Sequence, residues 1–274
     1  MNESKHTKKI ILIVLGVLLS LVWLFPFYIM VVNSFKTKAE IFRNTLSLPQ
    51  KTTFLNYPNA FKELDFTRTF LNSLLITIVS VVIILIFSSA AAYALQRAKT
   101  TFSKVIYMMF VATMLIPFQS VMIPLVSIFG KLHMLNRPGL VFMYLGFGSA
   151  QSIFLYYGAM KAVPKALDEA AIIDGASRLQ IFTKVVFPML QPTTVTVALL
   201  NVMWIWNDYL LPSLVINKEG IQTIPLKMFY FFGQYTKQWH LALAGLVIAI
   251  IPVIIFYFVM QKQIIAGVSE GSVK

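Results

Sequence analysis

Cysteine is absent from the 274-residue chain. That excludes disulfides, a thiol nucleophile and any thiolate metal site. Histidine is nearly as scarce. His6, His133 and His240 stand far apart, so a histidine-based metal site is not expected. Charge is thin too, at 12% of residues against ~25% in ordinary soluble domains. Acids are the scarcest, 10 Asp and Glu against 23 Lys and Arg. No G-x-x-x-x-G-K-[ST] loop, H-E-x-x-H pair or G-x-S-x-G elbow occurs. The chain therefore carries no P-loop, zincin site or nucleophile elbow of its own.

What fills the chain instead is apolar. Hydrophobic residues make up 58% of it, and the mean hydropathy is +0.77. Such a chain cannot cover its apolar surface as a water-soluble globule, so the class is an all-α integral membrane protein. Six apolar runs recur: Ile10–Val32, Phe70–Leu95, Val105–Phe129, Pro138–Gly158, Thr193–Ile216 and Leu241–Gln261. Each is long enough, at ~1.5 Å per residue, to cross a hydrocarbon core ~30 Å thick. The first outruns the ~7–15-residue core of a secretory signal, so it reads as a retained helix. Pro117 and Pro124 in the third run are tolerated where neighbours re-satisfy the backbone. Gly139, Gly146 and Gly148 in the fourth allow close helix approach. Between the first two runs, Asn33–Thr69 is polar, with turn chemistry at Asn56-Tyr57-Pro58-Asn59.

Six spans put both termini on one side. Lys and Arg do not say which, since the N-terminal side collects twelve and the other side eleven. The net charge of +13 fits loops beside anionic lipid headgroups. A nucleic-acid partner is not expected, because no basic stripe is interleaved with stacking aromatics. Within the spans Asp208 is the one acidic or basic side chain. Ion-coupled carriers need several intramembrane charges, so uphill transport here would draw its energy from a partner.

Pro164–Pro188 (PKALDEAAIIDGASRLQIFTKVVFP) is the mixed-polarity island of the second half. Pro164 suits a first helical turn, and Asp168 and Glu169 complement the dipole there. Gly175 suits a left-handed stop. Ser177 and Gln180 have capping-box spacing for a second arm, which Pro188 is expected to end. The first arm carries Leu167, Ala170, Ala171, Ile172 and Ile173 and so has little polar face. A helix of ~10 residues is marginal alone in water. This one either lies on the lipid surface or docks in a partner's groove.

Glu169-Ala170-Ala171, Gly175 three residues on, then Val185, Phe187 and Pro188 resemble the EAA-x3-G-x9-I-x-LP loop of bacterial ABC importer permeases. Val185 and Phe187 replace the pattern's Ile and Leu. More of the chain resembles the carbohydrate-uptake branch, of the maltose-transporter second-permease type. Those matches are Phe70-Leu71-Asn72-Ser73, Ala91-Ala92-Tyr93-Ala94 to Arg97, Ile116-Pro117, Ile123-Pro124, Trp206-Asn207-Asp208, and the closing Gln261, Gly267, Gly271 and Lys274.

The resemblance implies a type I importer permease fold of six transmembrane helices, with a cytoplasmic coupling helix between spans four and five. It implies a non-catalytic transport subunit with no cofactor of its own, ATP being bound by a separate ATPase dimer. It further implies a second, non-identical permease, an external solute-binding protein, and a bacterial plasma membrane location with both termini cytoplasmic. Glu169, Ala170, Ala171, Ile173, Asp174, Gly175 and Pro188 become the expected ATPase-coupling residues, with Glu169 a polar contact and Gly175 setting the turn.

Expected segments are residues 1–69 (tail, first helix and external loop), 70–262 (permease core) and 263–274 (cytoplasmic tail). Trp204, Trp206, Asn207, Asp208 and Tyr209 form a second candidate site. Aromatic faces with Asn and Asp suit a sugar's C–H faces and hydroxyls. Equally, the aromatics suit a membrane interface, and Asn207-Asp208 could cap a helix break before Pro212. In the maltose system the sugar site lies largely in the partner permease. The aromatic loop Met228–Trp239 and the loop Asn33–Thr69 would lie outside. The first either contacts the binding protein, lines the external vestibule or is an aromatic belt with a turn at Gly233, and the second could touch the binding protein. A permease for a non-sugar solute, a secondary transporter and a membrane enzyme are the rival readings.

Overall fold

The computed structural model describes the backbone of residues 2–232 and 237–272, with side chains for 9–232, 237–258 and 261. Among these, the backbone is helical throughout apart from its connections and one isolated bridge, Phe232 to Lys237. Four helices are long and apolar enough to cross a membrane, and six spans result if each of two bent pairs is one span. The chain divides into two compact units, Met1–Phe66 with Met228–Ile254, and Thr67–Lys227 with Ile255–Lys274.

In the first unit, α1 (Asn2–Ser34) runs past the apolar stretch at both ends. Its apolar stretch, residues 10–27, is exposed throughout within this chain, as befits a helix whose solvent is lipid. The expected polar loop is folded rather than open. It holds α2 (Lys38–Arg43) and α3 (Asn56–Glu63), and these close over the end of α1. Asn56 donates to the carbonyls of Ser34 and Lys36 at 2.7 and 2.8 Å. Tyr57 and Ser34 share a hydroxyl bond of 2.7 Å. Buried Lys36 donates from Nζ to the Asn44 carbonyl at 2.9 Å. These side chains satisfy backbone carbonyls that would otherwise be orphaned at a helix end. Asn56-Tyr57-Pro58-Asn59, read from its turn chemistry as a turn, is instead the first turn of α3, where proline forfeits no helical bond.

The second unit is built on α4 (Phe66–Ala98), α5 (Thr101–Thr113), α6 (Phe118–Lys131) and α7 (Arg137–Met160). It continues with α8 (Lys165–Ile173), α9 (Arg178–Met189), α10 (Gln191–Asn207), α11 (Leu210–Val215) and α12 (Ile224–Met228). The last helix, α13 (Trp239–Ser272), belongs to both units, and the expected tail from residue 263 continues it to Ser272.

Two of the six runs are not straight. The third is broken into α5 and α6, which meet at 103°. Pro117 supplies no donor and stands extended as the α6 N-cap, and a residue before proline is pushed out of the helical region. The fifth run is entered through a 79° bend between α9 and α10, and its helix ends at Asn207. Pro188 does not end the second arm as expected. A π-helical stretch, Ile181–Val186, precedes it, and helix resumes over Phe187–Met189 with Pro188 in its first turn, where a missing N–H is tolerated.

Two apolar clusters hold this unit together. One joins Ile76 and Ile84 of α4 with Leu140 and Tyr144 of α7, Ile205 of α10 and Leu211 of α11. The other joins Ala92 of α4, Tyr156 and Met160 of α7, Ile181 and Val186 of α9 and Val197 of α10. A buried polar contact lies on the same α4–α7–α10 packing. Asn201 donates to the Ser152 hydroxyl at 3.1 Å and to the Val197 carbonyl at 2.9 Å. Gly148 makes room for it, since a Cβ there would stand 2.6 Å from Ile84 Cδ1 and 2.7 Å from Asn201 Oδ1. Close approach through small residues is the usual currency of helix packing in lipid.

Gly148→Val is therefore expected to destabilise the protein by about 1–3 kcal/mol through overpacking. Gly146→Ala, where no atom lies within 4 Å of the added carbon, leaves stability unchanged. Thermal unfolding in detergent checks this, and equal midpoints for the two variants would contradict it.

Candidate functional site

The helix α8 is nine residues long and closed at both ends by its own sequence. Pro164 stands at the N-cap in an extended conformation. At the other end Gly175 has φ +78°, which only glycine adopts without strain. Its N–H bonds the Ile172 carbonyl at 3.0 Å, and the Ala176 N–H bonds that of Ala171 at 2.9 Å. This is the paired closure of a Schellman motif. The second arm opens with the capping box anticipated from spacing. Ser177 N–H donates to Gln180 Oε1 at 2.7 Å, and Gln180 N–H donates to Ser177 Oγ at 3.4 Å.

The exposed side of this elbow carries most of the expected coupling residues. Glu169, Ala170, Ile173, Asp174, Gly175 and Pro188 are exposed, and Ile173 reaches 86%. Ile172 and Leu179, at 60% and 72%, extend the apolar surface onto the second arm. Ala171 differs from the rest, since it is half-buried against the cluster of Tyr156, Met160 and Ile181.

The inner side of α8 is held by a polar clamp that the sequence did not announce. Arg97, one residue from the end of α4, meets Asp168 through Nε to Oδ2 at 2.8 Å and Nη2 to Oδ1 at 3.0 Å. Both side chains are only 13% exposed. Both Nη groups also donate to the Val163 carbonyl, at 3.3 Å each. One turn back, the Tyr93 hydroxyl donates to Asp168 Oδ2 at 3.2 Å, while the guanidinium lies 5.9 Å from its ring centroid. The Tyr93 ring also packs on Phe182 of the second arm, with centroids 5.3 Å apart. Dipole reasoning assigned Asp168 to its own helix. The available pointer to its partner was the pair Tyr93 and Arg97, one turn apart at the end of an apolar run.

The second candidate group is divided. Asp208, at the end of α10, accepts from the Tyr144 hydroxyl at 2.9 Å and from the Leu210 N–H at 3.0 Å. Trp204 packs edge-on against the same Tyr144, at 5.4 Å. Trp206 packs instead on Phe70, at 5.9 Å. Asn207 bonds back to the Met203 carbonyl at 2.7 Å, and Tyr209 packs on the cluster around Leu140 and Leu211. The helix-break role weighed for Asn207-Asp208 is thus present, and Tyr144 on α7 is an added member. Gly233 lies outside the described residues, while the neighbouring Phe232 and Trp239 pack edge-on at 5.0 Å. Among the described residues, no three His, Asp or Glu side chains gather as a metal site would require.

Asn72 also finds its partners. It donates to the carbonyls of Gly220 and Gln222 at 3.1 and 2.9 Å, and accepts from Arg137 at 2.7 Å. Ser73 accepts from the Ile224 N–H at 2.9 Å. This knot ties the start of α4 to the start of α7 and to the connection before α12.

Residues 86–270 match the family described as binding-protein-dependent transport system inner membrane component. The chain belongs to that family. It is 60% identical, over 98% of both chains, to a protein of Thermoanaerobacterium thermosulfurigenes named a probable starch degradation products transport system permease, AmyC. It is 36% identical, over 97% of this chain and 96% of the other, to the multiple sugar-binding transport system permease MsmG of Streptococcus mutans. A solved bacterial ABC transporter involved in importing the acidic polysaccharide alginate has a chain with TM-score 0.79 to this one. That match is at 28% identity and covers 94% of this chain and 97% of that chain. The protein is accordingly a multi-pass transport subunit with the type I ABC importer permease fold. The family match covers the whole elbow of α8 and α9.

Because Gly175 sits in the left-handed region with open space around it, Gly175→Val is expected to strain the α8 terminus by about 1–2 kcal/mol. Hydrogen exchange of the Gly175 and Ala176 amides should accelerate about tenfold, and less in Gly175→Asn, since Asn tolerates this conformation. Unchanged exchange in Gly175→Val would contradict this.

Proposed function

We propose that this chain is one permease half of an ATP-driven sugar importer, and that α8 is the part an ATPase subunit grips. The carrying observation is the two-sidedness of α8. Its inner side is clamped to α4 by Arg97 and Asp168, while Ile172, Ile173 and Leu179 stand bare on the outer side. An apolar edge on so short a helix needs cover. A bilayer surface suits it poorly, because Glu169 and Asp174 on the exposed side would meet anionic headgroups. A protein groove that buries the isoleucines and pairs Glu169 fits both features.

In this reading an ATPase dimer, a second permease and an external solute-binding protein complete the machine. Both termini face the cytoplasm, on the side of α8. ATP-driven closure of the ATPase dimer moves α8, and the spans rock to open outward. Trp204, Trp206, Asn207, Asp208 and Tyr209 border the sugar's path, with Trp204 and Asn207 presenting exposed faces. The names of the 60% and 36% identical relatives support a sugar, and that of the nearer one a starch-derived oligosaccharide.

The test is uptake of radiolabelled maltotriose by the whole transporter in liposomes with its ATPase and binding protein. Uptake is expected to require ATP. Ile173→Asp should lower ATPase co-purification and uptake together by about tenfold or more, because burying an unpaired carboxylate is costly. Full co-purification and uptake by this variant would contradict the assignment. ATP-independent uptake by the permease alone would instead favour a secondary carrier.

A further inference from the structure

We propose that Arg97, acting through Asp168, is the positioning residue that makes α8 and α4 move as one body, so that the pull of the ATPase enters the membrane spans through this ion pair. The inference rests on the reading of α8 as the ATPase contact.

Three observations carry it. The first is the chemistry of the joint. The guanidinium fork meets both oxygens of the Asp168 carboxylate at 2.8 and 3.0 Å, and the Tyr93 hydroxyl adds a third donor from α4 at 3.2 Å. A two-point fork resists rotation as well as separation, which a single contact does not. Both side chains are largely withdrawn from solvent, where charge attraction is less screened. Arg97 also holds the Val163 carbonyl, so the chain is gripped where it enters α8 and again within its first turn.

The second observation is how little else ties the first arm to α4. The arm lies against Ile181–Val186 of the second arm, and it meets the apolar cluster through the half-buried Ala171 and Ala176. Of the larger apolar side chains of α8, Ile172 and Ile173 are strongly exposed and Leu167 is about one-third exposed. The second arm is anchored differently, by buried Ile181 and Val186 and by the Phe182 ring on Tyr93. The last two turns of α4 therefore touch both arms of the elbow, the first through charge and the second through an aromatic ring.

The third observation is the rod behind the joint. The helix α4 is continuous over 33 residues, about 50 Å at 1.5 Å per residue. Among the helices long enough to cross a membrane it alone contains neither proline nor glycine. Those residues are where helices hinge. The α5–α6 and α9–α10 connections break at 103° and 79° and can absorb a displacement. A push on Asp168 is instead carried along α4 to Asn72, whose amide is bonded to Gly220, Gln222 and Arg137 near the other end. The elements near the sugar path on the far side are thus tied to the same rod.

The experiment uses the complete transporter in liposomes with maltotriose as probe, comparing Arg97→Gln, Asp168→Asn and the double variant. Three quantities are read: ATPase retained on the purified complex, ATP hydrolysed in the presence of binding protein, and sugar imported per ATP. The exposed side of α8 is untouched, so the ATPase should stay bound and hydrolyse ATP. Sugar per ATP should fall about tenfold in each single variant, and no further in the double one. Arg97→Lys should fall between, because it keeps the charge and loses the fork. Tyr93→Phe, which spares the ring on Phe182, should lower sugar per ATP by a smaller factor and serves if Arg97→Gln does not assemble.

Unchanged sugar per ATP in both single variants would overturn the proposal. So would losses that multiply in the double variant. Loss of the bound ATPase from both single variants would also overturn it, by making the pair a folding contact. Failure of the underlying reading shows separately: Ile173→Asp would then retain its ATPase, whatever Arg97→Gln does.

Discussion

Arg97 and Asp168 lie 71 positions apart in the chain, and their side chains meet at 2.8 Å. The arrangement of the α8 end of the second unit depends on that contact. An exposed ion pair is worth ~0–1 kcal/mol. This one is partly buried, forked and supported by Tyr93 and the Val163 carbonyl, and hydrogen bonds to charged groups are worth ~1.5–3 kcal/mol each. Removing one partner also leaves the other desolvated and unpaired. The clamp thus fixes against a long helix a short one that otherwise rests on the second arm. It frees the outer side of α8 to stay apolar and uncovered within this chain.

The same logic recurs wherever the second unit departs from plain apolar packing. In lipid there is little hydrophobic force between helices, so small residues and polar contacts decide which faces meet. Gly148 lets α4 and Asn201 of α10 approach α7, and Asn201 with Ser152 fixes the contact. Asn72 and Arg137 do so near the other end of α4. Asp208 accepts Tyr144 and the first N–H of α11 and so stabilises a helix break inside an apolar run. Asn72 and Asp208 each satisfy backbone groups where the chain stops being helical.

Much of this was legible in the sequence, and what escaped has a common cause. The apolar runs located α1, α4, α7, α10 and α13, because length and hydropathy are local properties. The elbow was legible too. Gly175, Ser177 and Gln180 act within four residues of themselves, and the structure shows the Schellman closure and capping box that they imply. The breaks at 103° and 79° were not anticipated as bends, although Pro117 and Pro192 mark them, since proline in a lipid-bound helix either kinks or is tolerated. The π-helical passage through Ile181–Val186 carried no composition signal. Asp168 with Arg97, and Asp208 with Tyr144, are pairs 71 and 64 positions apart, and no periodicity reports such a pairing. Polarity misled at Asn33–Thr69. Its polar groups turn inward onto the end of α1, so a folded cap resembles a solvated loop.

The central claim is that α8 and α4 form one rigid lever. The absence of native cysteine from this chain allows the most direct test. Ala98→Cys at the end of α4 and Ala166→Cys in α8, both exposed, would be spin-labelled in a complete transporter whose other subunits lack cysteine. The distance between the labels would then be measured by electron paramagnetic resonance, without nucleotide and with ATP trapped. A single narrow distance, unchanged between the two states while the spans rearrange, is the predicted result. A distance that shifts or broadens on ATP binding would show that α8 moves independently of α4, and would contradict the account.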